Sequence, residues 1–167
     1  MAEVKNRTQA AGKIILFGHS AGGQFVHRWA LLGGKKNVDV IAVANSGWFT
    51  MPDRDIEYPY GIKNVGITDE ELGEAFAEPV ILFMGEKDVE RKPPFRDTPE
   101  ADAQGMNRME RCTNYFRQCK AKAEELKVPF RWKLETVEGA AHQGVKMAEG
   151  AAAYIFGKSS EDGNRRV

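Results

Sequence analysis

The sequence predicts an α/β domain built as a three-layer sandwich, in which helices cover both faces of a mostly parallel sheet of about four strands. Two observations predict this fold class. Short apolar segments alternate along the chain with helical patterns, and such alternation is typical of parallel sheets. The apolar runs at residues 14–17 and 80–84 are continuous rather than alternating, which indicates strands that are buried on both faces.

The first half of the chain contains two predicted strands and two predicted helices. A strand over residues 13–18 precedes a helix over 23–32, which the glycines at 33 and 34 end. The β-branched segment 38–44 predicts the second strand. Thr68-Asp-Glu-Glu71 matches a capping box and opens a short helix that ends near Ala77.

The second half begins with a third strand over residues 79–84 and a charged loop over 85–105. Loops of this length in compact domains are usually functional or disordered. A helix over 106–126 has a core-facing apolar stripe, and the alternating segment 131–137 is typical of a half-exposed edge strand. The final predicted helix covers 145–156 and ends at Gly157. We therefore assign residues 1–157 to one domain and 158–167 to a polar C-terminal tail.

Composition and charge exclude several functional classes. The 167 residues include 24 basic and 24 acidic side chains, so no field favours nucleic acid or an anionic membrane surface. The longest apolar run is too short to span a bilayer, and the beginning of the sequence lacks a signal-peptide pattern. We expect no membrane span. Cytoplasmic localisation is the default expectation, although a signal upstream of Met1 stays open.

The two cysteines, Cys112 and Cys119, lie on one predicted helix. Seven residues of helix separate them by about 10.5 Å along the axis. A disulfide requires Cα atoms within about 7 Å, so we predict two buried thiols that do not pair with each other. Such thiols are compatible with a reducing compartment.

The most informative motif is Gly18-His-Ser-Ala-Gly22, which joins the first strand to the first helix. Strand, G-x-S-x-G and helix together form the context of a nucleophile elbow. Its turn strains the serine backbone, and we expect glycines two residues before and after Ser20 to remove clashing Cβ atoms. The turn would hold the Ser20 hydroxyl at the N-terminus of the helix, where developing negative charge is stabilised.

A serine nucleophile needs a base, and that base needs an acid to orient it. In strand–turn–helix sites the acid and then the histidine follow the serine along the chain. Of the three histidines, only His142 follows a plausible acid. Asp88 is the acid we favour, because three residues after the strand give the chain room to turn inward, and Glu86 is the alternative. The non-functional interpretations are that the acidic residue is a solvated loop carboxylate and that His142 is a surface histidine.

Aromatic residues follow the second strand and are candidates for a substrate pocket. They are Trp48, Phe49, Tyr58 and Tyr60. Ordinary loop packing is an equally good interpretation of each residue. We expect packing or polar roles for His19 and His27.

Gly18-His-Ser-Ala-Gly22, Gly85-Glu-Lys-Asp88 and Gly139-Ala-Ala-His142 together resemble the C-terminal half of an α/β-hydrolase. The esterase and poly(3-hydroxybutyrate) depolymerase-like group is the most similar. The resemblance implies Ser20 as nucleophile, Asp88 as orienting acid and His142 as general base, with the Ala21 N–H as one oxyanion donor. The family places its elbow after a fifth strand, so we expect only the later strands here.

This incomplete α/β-hydrolase fold leaves two functional hypotheses. The first is a serine hydrolase that cleaves small-molecule or polymeric carboxylic esters through an acyl-enzyme, with no cofactor and no metal. The second is a catalytically silent fragment or binding module. The family loop that supplies the second oxyanion donor precedes the elbow, and its absence motivates the second hypothesis. An unpaired first strand would also present a bare edge, from which we expect self-association.

Overall fold

The computed structural model describes residues 12–33 and 37–161, with the side chains of 158–161 left out. Strands and helices alternate along the described chain. The strands are β1 (Ile15–His19), β2 (Val40–Ala44), β3 (Val80–Gly85) and β4 (Lys133–Val137). The helices are α1 (Ala21–Leu32), α2 (Asp69–Phe76), α3 (Pro99–Asp102), α4 (Arg108–Glu125) and α5 (Gly144–Glu161).

The four strands form one sheet in the order β1-β2-β3-β4, and every neighbouring pair is parallel. The pairing aligns the strand ends, since His19 lies opposite Ala44 and Gly85 opposite Val137. The loops that follow the four strands therefore leave the sheet at one edge, where parallel sheets hold their ligands. The predicted α/β fold class is confirmed.

Helices cover both faces of the sheet and produce three layers. One hydrophobic cluster joins α1, α2 and α4 to side chains of β2 and β3 such as Val43 and Leu82. A second cluster lies on the opposite face, where Met147 and Ala151 of α5 pack against Ala42 and Phe83. Because both faces are covered, the central strands carry continuous apolar runs, and all six residues of β3 are buried.

Several predicted boundaries shift by a few residues. The segment 85–105 is not wholly irregular, because Thr98-Pro99 opens the short helix α3 within it. Helix α5 continues to Glu161 instead of ending at Gly157. A glycine ends a helix only where its backbone adopts the left-handed conformation. Residues 162–167 of the predicted tail lie outside the described residues.

The two cysteines of α4 do not form a disulfide. Cys112 and Cys119 are free and buried, as predicted, and burial raises the pKa of the Cys112 thiol to about 12.

Within the described residues, β1 pairs with β2 alone. Self-association through β1 stays a prediction. No helix in this part of the chain is both long and apolar enough to cross a bilayer.

Candidate active site

Ser20 occupies a strained turn between β1 and α1. Its φ of 55° and ψ of −115° lie outside the regions that L-residues normally adopt. A backbone of this kind costs on the order of 1–3 kcal/mol and persists only where the surroundings enforce it. Here the Ser20 N–H donates to the Ala44 carbonyl at 2.9 Å, which ties the turn to the end of β2.

Two glycines make this turn possible, but one of them differs from the prediction. A Cβ on Gly18 would lie 2.4 Å from the Gly22 carbonyl oxygen, so Gly18 is required. A Cβ on Gly22 would meet nothing within 4 Å. The second close approach is at Gly23, where a Cβ would lie 2.6 Å from Ser46 Oγ. The prediction that Gly22 relieves a clash is therefore wrong, because the helix has already turned that position toward solvent.

The structure brings Ser20, His142 and Asp88 into one hydrogen-bonded chain. His142 Nδ1 is 2.7 Å from Asp88 Oδ2, and His142 Nε2 is 3.0 Å from Ser20 Oγ. An ionised carboxylate only accepts hydrogen bonds, so Nδ1 carries the ring hydrogen facing Asp88. In the neutral ring Nε2 is then the acceptor, and the serine hydroxyl donates to it.

Asp88 and Glu86 occupy different environments. Asp88 is only 3% exposed and faces the imidazole. Glu86 is exposed, and its Oε2 accepts from the backbone N–H of Gly139 at 2.7 Å. Glu86 thus supports the turn that precedes the histidine loop, whereas Asp88 contacts the ring itself.

Asn45 links the acid loop to the histidine loop. Its Oδ1 accepts from the Gly85 N–H at 2.8 Å, and its Nδ2 donates to the Ala141 carbonyl at 2.9 Å. The two loops also touch directly, since a Cβ on Gly85 would lie 2.7 Å from the Ala141 oxygen. A φ of 46° turns the buried Asn45 side chain between them, a conformation that asparagine tolerates better than most residues.

Of three comparisons with known proteins, the one with solved structures found similar folds. No protein-family model matches the sequence, and no curated protein sequence matches it. Among solved structures, poly(aspartic acid) hydrolase-1 from Sphingomonas sp. KT-1 superposes with a TM-score of 0.86 at 32% identity, over 93% of this chain. A poly(3-hydroxybutyrate) depolymerase from Bordetella parapertussis gives a TM-score of 0.82 at 31% identity, also over 93% of this chain.

The chain has the α/β-hydrolase fold and is similar to both of these hydrolases. The resemblance seen in the sequence is thereby confirmed. The chain spans 60% of the length of the first protein and 54% of the second.

The candidate oxyanion position is at the start of α1. Ala21 is the first residue of that helix and is exposed. The first N–H groups of a helix have no acceptor within it, so the Ala21 N–H can point a partial positive charge at a bound oxyanion. Because α1 begins directly after Ser20, this donor lies beside the hydroxyl that the elbow presents.

Arg108 is a site residue that the sequence did not reveal. Its Nη1 donates to Asp88 Oδ1 at 3.1 Å, and both side chains are buried. The residues that α4 buries near its start include Arg108, Arg111 and Tyr115, which repeat at spacings of three and four. The sequence signal that could have found Arg108 is its place in a helical row of buried positions. A buried charge is usually paired with an opposite charge, so an arginine in such a row indicates a buried carboxylate nearby.

His19 packs against the site. Its ring centroid lies 4.7 Å from that of His142, and burial together with the His142 charge lowers the pKa of His19. A neutral ring at this position gives His142 a packing surface without adding a second cation. His27 is fully buried in the core on the α1 side of the sheet, as its predicted packing role requires.

The predicted aromatic pocket is not assembled as a unit. Phe49 is fully buried and stacks on Tyr115, so it belongs to the core and cannot contact a substrate. Trp48 packs on Tyr60 at 4.8 Å, and both rings are largely buried. Tyr58 is exposed in a different surface hollow, lined with Leu32 and Val65 among others.

A cavity of about 400 Å³ opens beside the imidazole. Its lining combines His142 and Asp88 with charged loop residues and two prolines. The remaining lining residues are Lys87, Glu90, Lys92, Pro93, Pro94, Arg108 and Ala141. Among the described residues no group of histidine, cysteine or carboxylate side chains is arranged to hold a metal ion.

Proposed function

We propose that this protein is a serine hydrolase that cleaves carboxylic esters through an acyl-enzyme. The single observation that carries the proposal is the hydrogen-bonded chain from Ser20 Oγ through His142 to Asp88 Oδ2. A serine hydroxyl is a weak nucleophile unless a base stands within hydrogen-bond reach, and His142 Nε2 meets that condition at 3.0 Å. The proposed roles are nucleophile for Ser20, general base for His142 and orienting acid for Asp88.

In the proposed first half-reaction Ser20 Oγ attacks the ester carbonyl as its proton passes to His142 Nε2. The carbonyl oxygen becomes an oxyanion, which the Ala21 N–H and the N-terminal field of α1 stabilise. Asp88 stabilises the imidazolium through Nδ1 and remains ionised itself. His142 then gives its proton to the departing alkoxide, which is released as an alcohol. The acyl group stays bound to Ser20.

In the second half-reaction water replaces the alcohol. His142 takes a proton from the water, the hydroxide adds to the acyl carbon, and collapse returns the proton to Ser20. The products are a carboxylic acid and the free enzyme.

The two similar hydrolases bear on the substrate class. Both are named for polymers, one a poly(aspartic acid) and the other a poly(3-hydroxybutyrate). The second polymer is a polyester, so a carboxylic ester, small or polymeric, is the substrate we propose here.

The test is covalent labelling by an alkyl fluorophosphonate, which reacts with activated serines. We expect one adduct per chain, on Ser20 by peptide mapping, and hydrolysis of a short-chain nitrophenyl ester. Ser20→Ala should lose both signals. Asp88→Asn should label on the order of 10⁴-fold more slowly, because the imidazole loses the partner that fixes its tautomer.

Glu86→Gln is the matched control for Asp88→Asn. It neutralises a carboxylate two positions away, and its amide oxygen can still accept from the Gly139 N–H. This variant should label at nearly the wild-type rate. A folded wild-type protein that is never labelled at Ser20 would overturn the proposal.

A further inference from the structure

Asp88 has a second buried partner, and both of its carboxylate oxygens are engaged. Oδ2 faces His142 at 2.7 Å, while Oδ1 accepts from Arg108 Nη1 at 3.1 Å. Given the proposed function, we infer that Arg108 is a positioning residue that holds the Asp88 carboxylate in the one orientation that serves His142. A carboxylate held at both oxygens cannot rotate away from the imidazole during turnover.

Arg108 is itself fixed by its surroundings. It is 5% exposed at the first residue of α4, and its guanidinium lies 5.0 Å from the centroid of the Phe95 ring. Nη1 also approaches the carbonyl of Glu90 at 3.5 Å. A planar guanidinium can stack on an aromatic ring and direct an N–H at a carboxylate simultaneously, which an ammonium group cannot do.

The loop between β3 and α4 supplies this support. Phe95 is also within cation–π distance of Arg111, at 4.2 Å, and of Arg91, at 5.0 Å. Arg111 Nη2 and Arg91 Nη2 both donate to Asp102, at 2.7 and 2.9 Å, which closes the loop on itself. The charged segment that follows Asp88 therefore places Arg108 behind the acid.

Electrostatics gives Arg108 a second effect on the imidazole. The charged groups that surround His142 are Asp88, Arg108 and the titratable ring of His19, with Lys87 and Glu90 on the cavity wall. Without Arg108, the buried Asp88 carboxylate would keep, among the described residues, no hydrogen-bonded side chain other than the imidazole of His142. The imidazole would then gain a proton more readily, and less of it would be available as a base.

The experiment compares Arg108→Gln and Arg108→Lys with the wild type. Arg54→Gln is the control for loss of a guanidinium group, because Arg54 pairs with Asp69 at 2.6 Å on the surface and belongs to neither the site nor its supporting loop. The rate of Ser20 labelling by an alkyl fluorophosphonate is followed across pH. The low-field proton resonance of the His142 Nδ1–H reports its hydrogen bond to Asp88 directly, and the melting temperature reports stability.

We expect Arg108→Gln to label about 10- to 100-fold more slowly, a loss of the size found when the residue that orients a metal ligand is removed. The acid limb of its pH profile should move to higher pH, and its low-field resonance should shift or broaden. Arg108→Lys should return the limb toward its wild-type position because it restores the charge. Arg54→Gln should change neither the labelling rate nor the resonance.

An Arg108→Gln protein with an unmoved pH limb and an unchanged resonance would overturn the inference, even if it melts earlier. Absence of the low-field resonance in the wild type would overturn it as well. If the resonance is present but wild-type Ser20 is never labelled, the proposed function fails, and the response of the resonance to Arg108→Gln still decides the positioning role.

Discussion

The side-chain amide of Asn45 donates to the carbonyl of Ala141, which is 96 positions further along the chain and directly precedes His142. The same amide accepts from the Gly85 N–H, three residues before Asp88. One buried side chain thus sets the separation of the two loops that carry the acid and the histidine. Since the ring contacts Asp88 at 2.7 Å, a small change in that separation would break the contact.

Asn45→Ala should therefore lower both stability and reactivity. It leaves the Gly85 N–H and the Ala141 carbonyl without their partner, and a buried group left unpaired costs about 1–3 kcal/mol. Asn64→Ala is a matched control, because Asn64 also has a left-handed backbone, with φ of 60°, but lies exposed. Thermal unfolding and Ser20 labelling rates measure the outcome. Equal losses in the two variants would mean that backbone strain alone explains the effect.

The glycines of the elbow give a second pair of variants. Gly23→Ala places a methyl 2.6 Å from Ser46 Oγ and 2.8 Å from the Ala44 carbonyl, so we expect a loss of about 1–3 kcal/mol from overpacking. Gly22→Ala meets open space within α1 and should gain about 0.5–1 kcal/mol from helix propensity. Urea unfolding measures both changes. A Gly22→Ala protein less stable than Gly23→Ala would contradict the contacts described.

The fold could be predicted because its signals are local. Continuous apolar runs identified the buried strands, and the capping box at Thr68 identified the start of α2, which the structure begins at Asp69. The predicted ends of the strands and helices were less accurate, since the hydrophobic pattern does not show where the backbone hydrogen bonds of an element end. The strand predicted over 38–44 begins at Val40, because Asp39 pairs with Ile14 through its side chain as well as its backbone.

The candidate site could be predicted only in part. The G-x-S-x-G motif selected Ser20 and chain order selected His142, but two acids stayed open because order carries no information on burial. Asn45 and Arg108 escaped notice because their contacts join residues 96 and 20 positions apart. Phe49 was assigned to a pocket because sequence shows that a ring is apolar but does not show which way it points.

The different positions of Phe49 and Tyr58 lead to a third prediction. Phe49→Ala should cost about 3–5 kcal/mol, because it removes a fully buried ring that stacks on Tyr115 at 4.5 Å. Tyr58 is 54% exposed, so Tyr58→Ala should change stability by no more than about 0.5 kcal/mol. Chemical denaturation tests both values. A Phe49→Ala protein as stable as the wild type would show that the ring is not part of the core.

Tyr58→Ala also tests the pocket hypothesis. The hollow that contains Tyr58 shares no lining residue with the cavity beside His142. We therefore expect Tyr58→Ala to leave KM for a nitrophenyl ester unchanged. A several-fold rise in KM without loss of stability would instead assign Tyr58 to the substrate pocket.

The buried imidazole of His27 makes stability depend on pH. Its Nδ1–H donates to the Gly23 carbonyl at 3.1 Å, and its Nε2 accepts from the Thr50 N–H at 3.0 Å, so the ring is satisfied only when neutral. Burial, followed by the charge of Arg28, lowers the pKa of His27 from 6.5 to about 3. Below pH 6.5 the unfolded chain binds a proton that the folded protein excludes.

The stabilising contribution of the neutral His27 ring is therefore complete above pH 6.5 and falls as the pH decreases toward 3, by up to about 1.4 kcal/mol per pH unit. His27→Gln is the appropriate comparison, because its amide can donate to Gly23 and accept from Thr50 without titrating. Urea unfolding between about pH 7 and pH 5 should show a weaker pH dependence in this variant. Parallel pH profiles for the two proteins would show that His27 can take up a proton without unfolding the core.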